Sequence, residues 1–366
     1  RDEMERRPMA FFVRELEERL DAVRELTGRF VGADPDGLVF APNATTGINA
    51  VLRSLKVEPG DELLTTTHEY NASRNTLVFV AERSNAKVVD VEIPFPAESE
   101  EECLDRILAA VTDRTTYALL DHVTSPTALV FPMERIVREL KDRGVETLVD
   151  GAHAFGMLPL DLSAIGAAFY TANAHKWICA PKGSAFLWVR EDWRDRVRPA
   201  VISHGANSAR SDRSRLHLEF DWTGTFDPSA WLSLPATIDA MASMHEGGWP
   251  GVMSRNRSLA LEGRSILCEA LRIEPPAPDS MIGAIASVPL PQGTQMELKT
   301  ALYGDPLQDG LRERHSIEVP IAPWPAPPNR VLRISAQLYN ERSDYEALAE
   351  ALLEELEREG DRGSGD

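Results

Sequence analysis

A chain of 366 residues, 43% hydrophobic and 27% charged, has the composition of an ordinary folded protein and the length for two domains, or for one large domain with a smaller one appended. Its 58 acidic and 39 basic residues give a net charge of −19, which argues against nucleic acid or anionic membrane as a partner and favours a small-molecule substrate. No run approaches the ~18 apolar residues of a membrane span, no signal-peptide pattern is present, and Cys103, Cys179 and Cys268 lack CxxC or metal spacing, so neither disulfides nor zinc are expected and a reducing, cytoplasmic setting is.

Arg1 to Thr27 has helical periodicity (Phe12, Leu16, Leu20, Val23, Leu26), with Gly28 as the expected C-cap. Leu38 to Phe40 reads as a strand that turns through Ala41 to Asn49 into the helical pattern Ala50 to Leu55. Thr45 and Thr46 stand at that helix start, where the dipole and unpaired amides favour an anion, although threonine is also a common plain N-cap. Glu62 to Thr66 is a strand, and the helix after it opens with His68-Glu69-Tyr70-Asn71-Ala72. Lys87 to Val91 and Thr116 to Asp121 read as strands, and Glu100 to Val111 and Met133 to Arg143 as helices, the last stopped by Gly144. Such alternation of strand and helix predicts a mostly parallel sheet covered on both faces.

Glu146 to Val149 is an apolar strand ending in Asp150-Gly151-Ala152-His153, and Ala167 to Thr171 is a second one that delivers Asn173-Ala174-His175-Lys176-Trp177. Ligands of α/β sheets sit beyond the carboxyl ends of strands, so Asp150 and Lys176 can face one crevice. A lysine there can form a Schiff base and a carboxylate can hold a ring nitrogen protonated, the two protein groups that pyridoxal phosphate needs most. Taken alone, the pair is better read as surface residues flanking loops, the usual fate of such side chains.

Ala180 to Gly183 turns the chain back into a strand, Ser184 to Val189. Ile202 to Gly205 and the polar Ala206 to Arg215 read as a mobile loop, its arginines a solvated face rather than substrate contacts. Phe220 to Asp227 precedes a helix from Ser229 to His245, and Gly247-Gly248-Trp249-Pro250-Gly251 reads as the domain hinge. Beyond it, helices Val252 to Leu271, Glu297 to Gln308 and Ser343 to Arg358 alternate with strands Ile282 to Val288, Ile317 to Ile321 and Arg330 to Ser335, which predicts an α+β small domain. Arg333, flanked by apolar residues in its strand, needs an anion, either a carboxylate ligand or a structural salt-bridge partner.

Asp150-Gly151-Ala152-His153, followed by Asn173-Ala174-His175-Lys176-Trp177 at a separation of 176 − 150 = 26 residues, resembles the class V aminotransferase family of fold-type-I pyridoxal-phosphate enzymes, in its isopenicillin N epimerase-like branch. The likeness runs from about Leu38 to Asn340. It implies an α/β large domain with a mostly parallel seven-stranded sheet flanked by helices, and a smaller α+β C-terminal domain. The expected division is a helix 1–27 packed with the small domain, a cofactor-binding domain 28–246, a small domain 247–359 and a disordered tail 360–366.

The resemblance also implies roles. Lys176 binds the cofactor covalently, Asp150 faces the pyridine nitrogen, His153 lies near the ring hydroxyl, His175 near the phosphate, and Thr45 with the Thr46 amide cradles that phosphate. Tyr70 matches the position of a ring stacked on the cofactor, with His68 as the alternative, and Asn173 belongs to the same cofactor-binding set. Ser125 stands where relatives often carry an asparagine. Thr225 matches a threonine that reaches the phosphate of a neighbouring subunit, so a homodimer with a shared site is implied, and Arg333 matches the arginine that holds the substrate α-carboxylate. A segment upstream of Arg1 that closes over the substrate is implied as well.

The reaction class stays open between an epimerase or racemase, a C–S lyase acting on a cysteine conjugate or sulfoxide, and an aminotransferase. A silent binding scaffold is the non-enzymatic alternative. A persulfide-forming desulfurase is disfavoured, because Arg314 to Pro320, which matches the mobile cysteine segment of those enzymes, contains no cysteine.

Overall fold

A computed structural model describes residues 1–294 and 304–363. Two compact units divide the chain: the first comprises Arg1–Glu92, Leu104–Val123 and Pro132–Pro250, the second Ile93–Cys103, Thr124–Phe131 and Gly251–Asp366.

The first unit is built on seven strands, β1 (Leu38–Ala41), β2 (Glu62–Thr66), β3 (Lys87–Val91), β4 (Thr115–Asp121), β5 (Glu146–Asp150), β6 (Phe169–Asn173) and β7 (Ala185–Val189), in the order β1-β7-β6-β5-β4-β2-β3. All neighbours are parallel except β7, which runs antiparallel to both β1 and β6. β5, β6 and β7 are apolar runs buried almost throughout, as strands covered on both faces must be. Val39, Ile48, Leu63, Leu119, Leu148, Phe169 and Leu187 form one core cluster between sheet and helices, and the helix Met133–Asp142 buries Met133, Ile136, Val137 and Leu140 where it packs on β5. The expected α/β architecture with a mostly parallel seven-stranded sheet is the one observed.

Several local expectations are corrected. The N-terminal helix Leu16–Val31 passes through Gly28 and stops at Gly32, whose φ of 62° is the left-handed conformation a C-cap needs. It belongs to the first unit: Arg24, only 2% exposed, donates through Nε to Leu38 O at 3.1 Å and is ion-paired with Asp221, while Phe30 packs edge-on against Phe155 and Trp249. The arginines of the polar stretch 206–215 fasten it to that helix, Arg210 to Glu17 at 2.7 Å and Arg213 to Asp21 at 2.8 Å. Pro235, without an N–H, divides the expected single helix into Ser229–Leu232 and Leu234–Ser243.

In the second unit β8 (Ile285–Leu290), β10 (Arg330–Ser335) and β9 (Ile321–Pro323) form an antiparallel sheet in the order β8-β10-β9, accompanied by the helices Pro306–His315 and Arg342–Gly363. The C-terminal helix continues past Gly360, where a tail was expected. The expected helix Glu297 to Gln308 lies largely outside the described residues, and the observed one starts at Pro306 with Asp305 as its cap. Of the glycine-rich 247–251 stretch, Gly247 is in a turn and residues 248–251 form the first turn of the helix Gly248–Leu271, and the unit boundary falls there at Pro250. Two segments that read as part of the large domain group here instead, because Ala97 N donates to Pro276 O at 2.9 Å, Val130 N to Met281 O at 2.8 Å and Ser287 Oγ to Pro126 O at 2.8 Å. Among the described residues no helix is long and apolar enough to cross a membrane.

Removing one side of a buried ion pair strands the other charge, at a cost of roughly 3–5 kcal/mol. Arg24→Ala is therefore expected to lower the unfolding free energy by about that amount in chemical denaturation; a loss below about 1 kcal/mol would show that the pair does not anchor the N-terminal helix.

Candidate active site

Asp150 ends β5 and is 3% exposed. Its two oxygens are held separately, Oδ2 accepting from Ser73 Oγ at 3.0 Å and Oδ1 from the Ala152 amide at 2.9 Å. The chain can turn sharply here because residue 151 is glycine: a Cβ at that position would lie 2.2 Å from the Tyr170 ring. Tyr170 in turn meets His122 Nδ1 through its hydroxyl at 2.8 Å, and burial drives the His122 pKa down to about 4, so this imidazole is neutral.

Lys176 follows β6 and is partly exposed, with Nζ 3.0 Å from His153 Nε2. A tight turn fixes its backbone, Cys179 N donating to Lys176 O at 3.2 Å and Ala180 N to Ala174 O at 3.1 Å. His175 Nδ1 donates to Ser184 O at 2.9 Å, and burial holds its pKa below the usual histidine value.

The helix Ala44–Leu52 begins beside the end of β6. Asn173, the last residue of β6, accepts from the Ala44 amide through Oδ1 at 2.9 Å, so its side chain fastens the helix start to the strand. Asn43 is the N-cap: its Oδ1 accepts from Thr46 N at 2.9 Å and from Thr46 Oγ1 at 3.0 Å. The Thr46 amide assigned to an anion is thus already engaged by the cap, whereas Thr45, half-buried, contributes its carbonyl to Asn49 Nδ2 at 3.0 Å.

Two acids that the sequence reading passed over lie beside Asp150. Asp121 ends β4 in direct register with Asp150 on the neighbouring parallel strand, and Glu69 comes from the turn after β2. One carboxylate oxygen from each of Glu69, Asp121 and Asp150 lies within 4.8 Å of the others, and all three residues are buried. Two ionised carboxylates at that distance repel by roughly 3.5 kcal/mol at an effective dielectric of about 20. Burial, together with Asp150, pushes the Glu69 pKa well above the carboxylate range; burial and then Glu69 do the same to Asp121, and burial raises Asp150, against which the Ala152 amide, Lys176 and Ser73 act. The signal was present in the pattern, since β4 and β5 both end in aspartate.

Tyr70 is the N-cap residue of the helix Asn71–Ser84 and is 39% exposed, its amide donating to Glu69 Oε1 at 3.1 Å. His68, two residues earlier, is fully buried. Thr225 lies on an exposed stretch of the first unit. Ser125 and Arg333 belong to the second unit, where Arg333 Nη1 donates to both the carbonyl and the hydroxyl of Ser125.

This donor set fits pyridoxal phosphate. Lys176 offers a primary amine, and Asp150 a carboxylate oriented by two donors. Asp121 Oδ2 is buried without a hydrogen bond, and none of the three acids is ion-paired with an arginine among the described residues, so the pocket complements a protonated ring nitrogen.

A family model described as "Aminotransferase class-V" matches residues 6–348. The chain is 35% identical over 363 residues to isopenicillin N epimerase of Amycolatopsis lactamdurans, covering 95% of this chain and 87% of the relative. It is 30% identical over 372 residues to a probable chloroplastic L-cysteine desulfhydrase of Arabidopsis thaliana, covering 95% and 76%. The fold is similar to that of the apo cysteine desulfurase of Thermococcus onnurineus NA1, with a TM-score of 0.74 at 20% identity over 93% of this chain and 84% of that one.

Asn173→Ala removes the acceptor of a buried amide, which costs about 1–3 kcal/mol. A matching loss of stability in thermal melts is expected, with a smaller loss for Asn173→Asp, which keeps an acceptor; equal losses in the two variants would contradict the role given to Oδ1.

Proposed function

Because the chain belongs to the aminotransferase class-V family, the pyridoxal-phosphate-dependent enzymes whose model spans most of it, we propose that it acts at the α-carbon of an amino acid or amino-acid-containing substrate as an epimerase. A C–S lyase acting on a cysteine conjugate or sulfoxide is the second reading, favoured by the similarity to an L-cysteine desulfhydrase. The observation that carries the proposal is the pairing of Lys176, its amine 3.0 Å from His153, with Asp150, a buried carboxylate aimed by Ser73 and Ala152.

When bound, pyridoxal phosphate supplies an electron-poor ring that draws charge away from the substrate α-carbon. Lys176 would hold it covalently, and its amine would move the proton at the substrate Cα. Asp150 presents a fixed negative charge to the ring nitrogen, with Ser73 Oγ and Ala152 N preventing rotation of the carboxylate. His153, within hydrogen-bond reach of Lys176, positions the amine. His175 and the helix start at Thr45 and Thr46 hold the phosphate, and Asn173 acts indirectly by anchoring that helix to β6. Since the Thr46 amide and hydroxyl are both taken by Asn43, either the cap opens for the phosphate or the Thr45 hydroxyl carries the contact.

Epimerisation requires an acid on the face opposite Lys176. Tyr70, partly exposed, supports that role better than the fully buried His68. A lyase requires one base and no opposed acid. By the family resemblance, Arg333 of the second unit is the residue proposed for the substrate carboxylate, and a homodimer is proposed to bring Thr225 to the partner's phosphate. The segment Arg314 to Pro320 has no cysteine to carry a persulfide, which sets the desulfurase reaction aside.

Lys176→Ala is expected to lower turnover by at least about 10³-fold while retaining the cofactor non-covalently through the phosphate contacts; complete loss of cofactor on dialysis would mean that the phosphate site lies elsewhere. Asp150→Ala should impair turnover more than Asp150→Glu, because a charge beside the ring nitrogen is the requirement, and equal rates would contradict that role. With a panel of amino acids and cysteine conjugates, chiral chromatography and mass spectrometry of the products separate the two reactions. Inversion at constant mass, lost in Tyr70→Phe but with solvent deuterium still entering Cα, supports the epimerase, whereas release of pyruvate and ammonia supports the lyase.

A further inference from the structure

We propose that Glu69 and Asp121 are positioning residues that hold the protons of the three-carboxyl cluster, so that its single negative charge stays on Asp150. This rests on the reading above, in which Asp150 faces the ring nitrogen of the cofactor, and it extends that reading to two residues for which no role follows from the Lys176–Asp150 pair.

β4 and β5 run parallel in a register that sets Asp121 beside Asp150, and the turn after β2 brings Glu69 within 4.8 Å of both. Three buried carboxyl groups so close cannot all be ionised, so protons are retained, and the surroundings decide where. Asp150 accepts two hydrogen bonds, from Ser73 Oγ and Ala152 N, each of which favours its charged form. Asp121, by contrast, shares the Tyr70 amide with Glu69, and its Oδ2 is buried with no hydrogen bond, an arrangement costly for a charged acid. Glu69 accepts from the Tyr70 amide through Oε1 at 3.1 Å, faces Thr65 Oγ1 at a long 3.5 Å through Oε2 and shares the Ser73 hydroxyl with Asp150, but its burial and the neighbouring Asp150 outweigh these donors.

The other groups around the cluster leave this ordering intact. Lys176 stabilises charge on both Asp121 and Asp150, whereas Tyr170 is kept protonated by burial and by Asp150. His122 is neutral and turned toward Tyr170, and His153 is engaged with the Lys176 amine. The protons therefore rest on Glu69 and Asp121 and the charge on Asp150, where the two fixed donors also aim it. An Asp–Asp register pair that would be destabilising as two anions becomes a device for fixing one anion in place.

The sign of the pH dependence follows. Acids whose folded pKa is raised bind more protons in the folded than in the unfolded state at pH values between the two, so stability falls as pH rises from the ordinary carboxyl range toward the raised folded values. The full-length protein is tested before and after adding pyridoxal phosphate, with Glu69→Gln, Asp121→Asn and the double variant, in which the amides imitate neutral acids.

Before addition, infrared spectra at neutral pH are expected to show the C=O stretch of protonated carboxylic acid, reduced in each single variant and lost in the double one. The melting temperature of the double variant should fall less steeply with pH than that of the parent. After addition, Glu69→Gln and Asp121→Asn should leave the pH titration of the visible cofactor band within about half a pH unit of the parent, whereas Asp150→Asn should move it by about one unit or more.

An unchanged infrared spectrum in the variants, or a titration displaced by Glu69→Gln or Asp121→Asn but not by Asp150→Asn, would overturn the proposal. Failure of the reading on which it rests looks different: the parent protein would then develop no visible band with pyridoxal phosphate, and borohydride would leave Lys176 unmodified.

Discussion

The site depends on a carboxylate held in the interior without a bonded cation. Asp150 keeps its orientation through a serine hydroxyl from one helix and an amide of its own turn, and nothing in the protein neutralises it by direct ion pairing among the described residues. Such a charge is costly in the interior unless a ligand completes it. In the proposed reading, in which Asp150 faces the ring nitrogen of the cofactor, the geometry is preorganised for that positive charge and folding bears the cost before the ligand arrives.

The sheet provides the precision. Asp150 ends a central parallel strand, Asn173 ends the strand beside it with Lys176 in the turn that follows, and the amide of Ala44 is fastened to Asn173 across that junction. The amine, the carboxylate and the start of the helix Ala44–Leu52 are thus tied to two adjacent strands, which move less than loops. Behind them Gly151 lets Tyr170 close against the turn, and its hydroxyl meets the neutral His122. Outside the site, the buried Arg24–Asp221 pair and the ion pairs of Arg210 and Arg213 fix the N-terminal helix and the polar 206–215 stretch to the same unit.

The cluster of Glu69, Asp121 and Asp150 shows how a parallel sheet can use like charges. Strands that end together bring their last side chains together, so two terminal aspartates in register become neighbours whatever their charge. In the proposal above, the donors decide which of them keeps the charge: Ser73 Oγ and Ala152 N on Asp150, against a Tyr70 amide shared with Glu69 and an unbonded Oδ2 on Asp121.

What the sequence alone determined is what local pattern and periodicity control. The alternating strands and helices, the parallel sheet and the placement of Asp150 and Lys176 at strand ends all follow from the period of apolar residues and from short turn motifs. Only the tertiary structure decided the rest. Gly32 rather than Gly28 caps the N-terminal helix, because the chain reverses only after Phe30 has packed on Phe155 and Trp249. Segments 93–103 and 124–131 join the second unit through hydrogen bonds to residues more than 140 positions away, such as Ala97 to Pro276 and Val130 to Met281. Asn173 anchors the Ala44 amide, and Asp121 and Glu69 meet Asp150, through contacts between residues far apart in the chain. Spacing along a sequence cannot encode such contacts, because strand order and register, not proximity in the chain, select which side chains become neighbours.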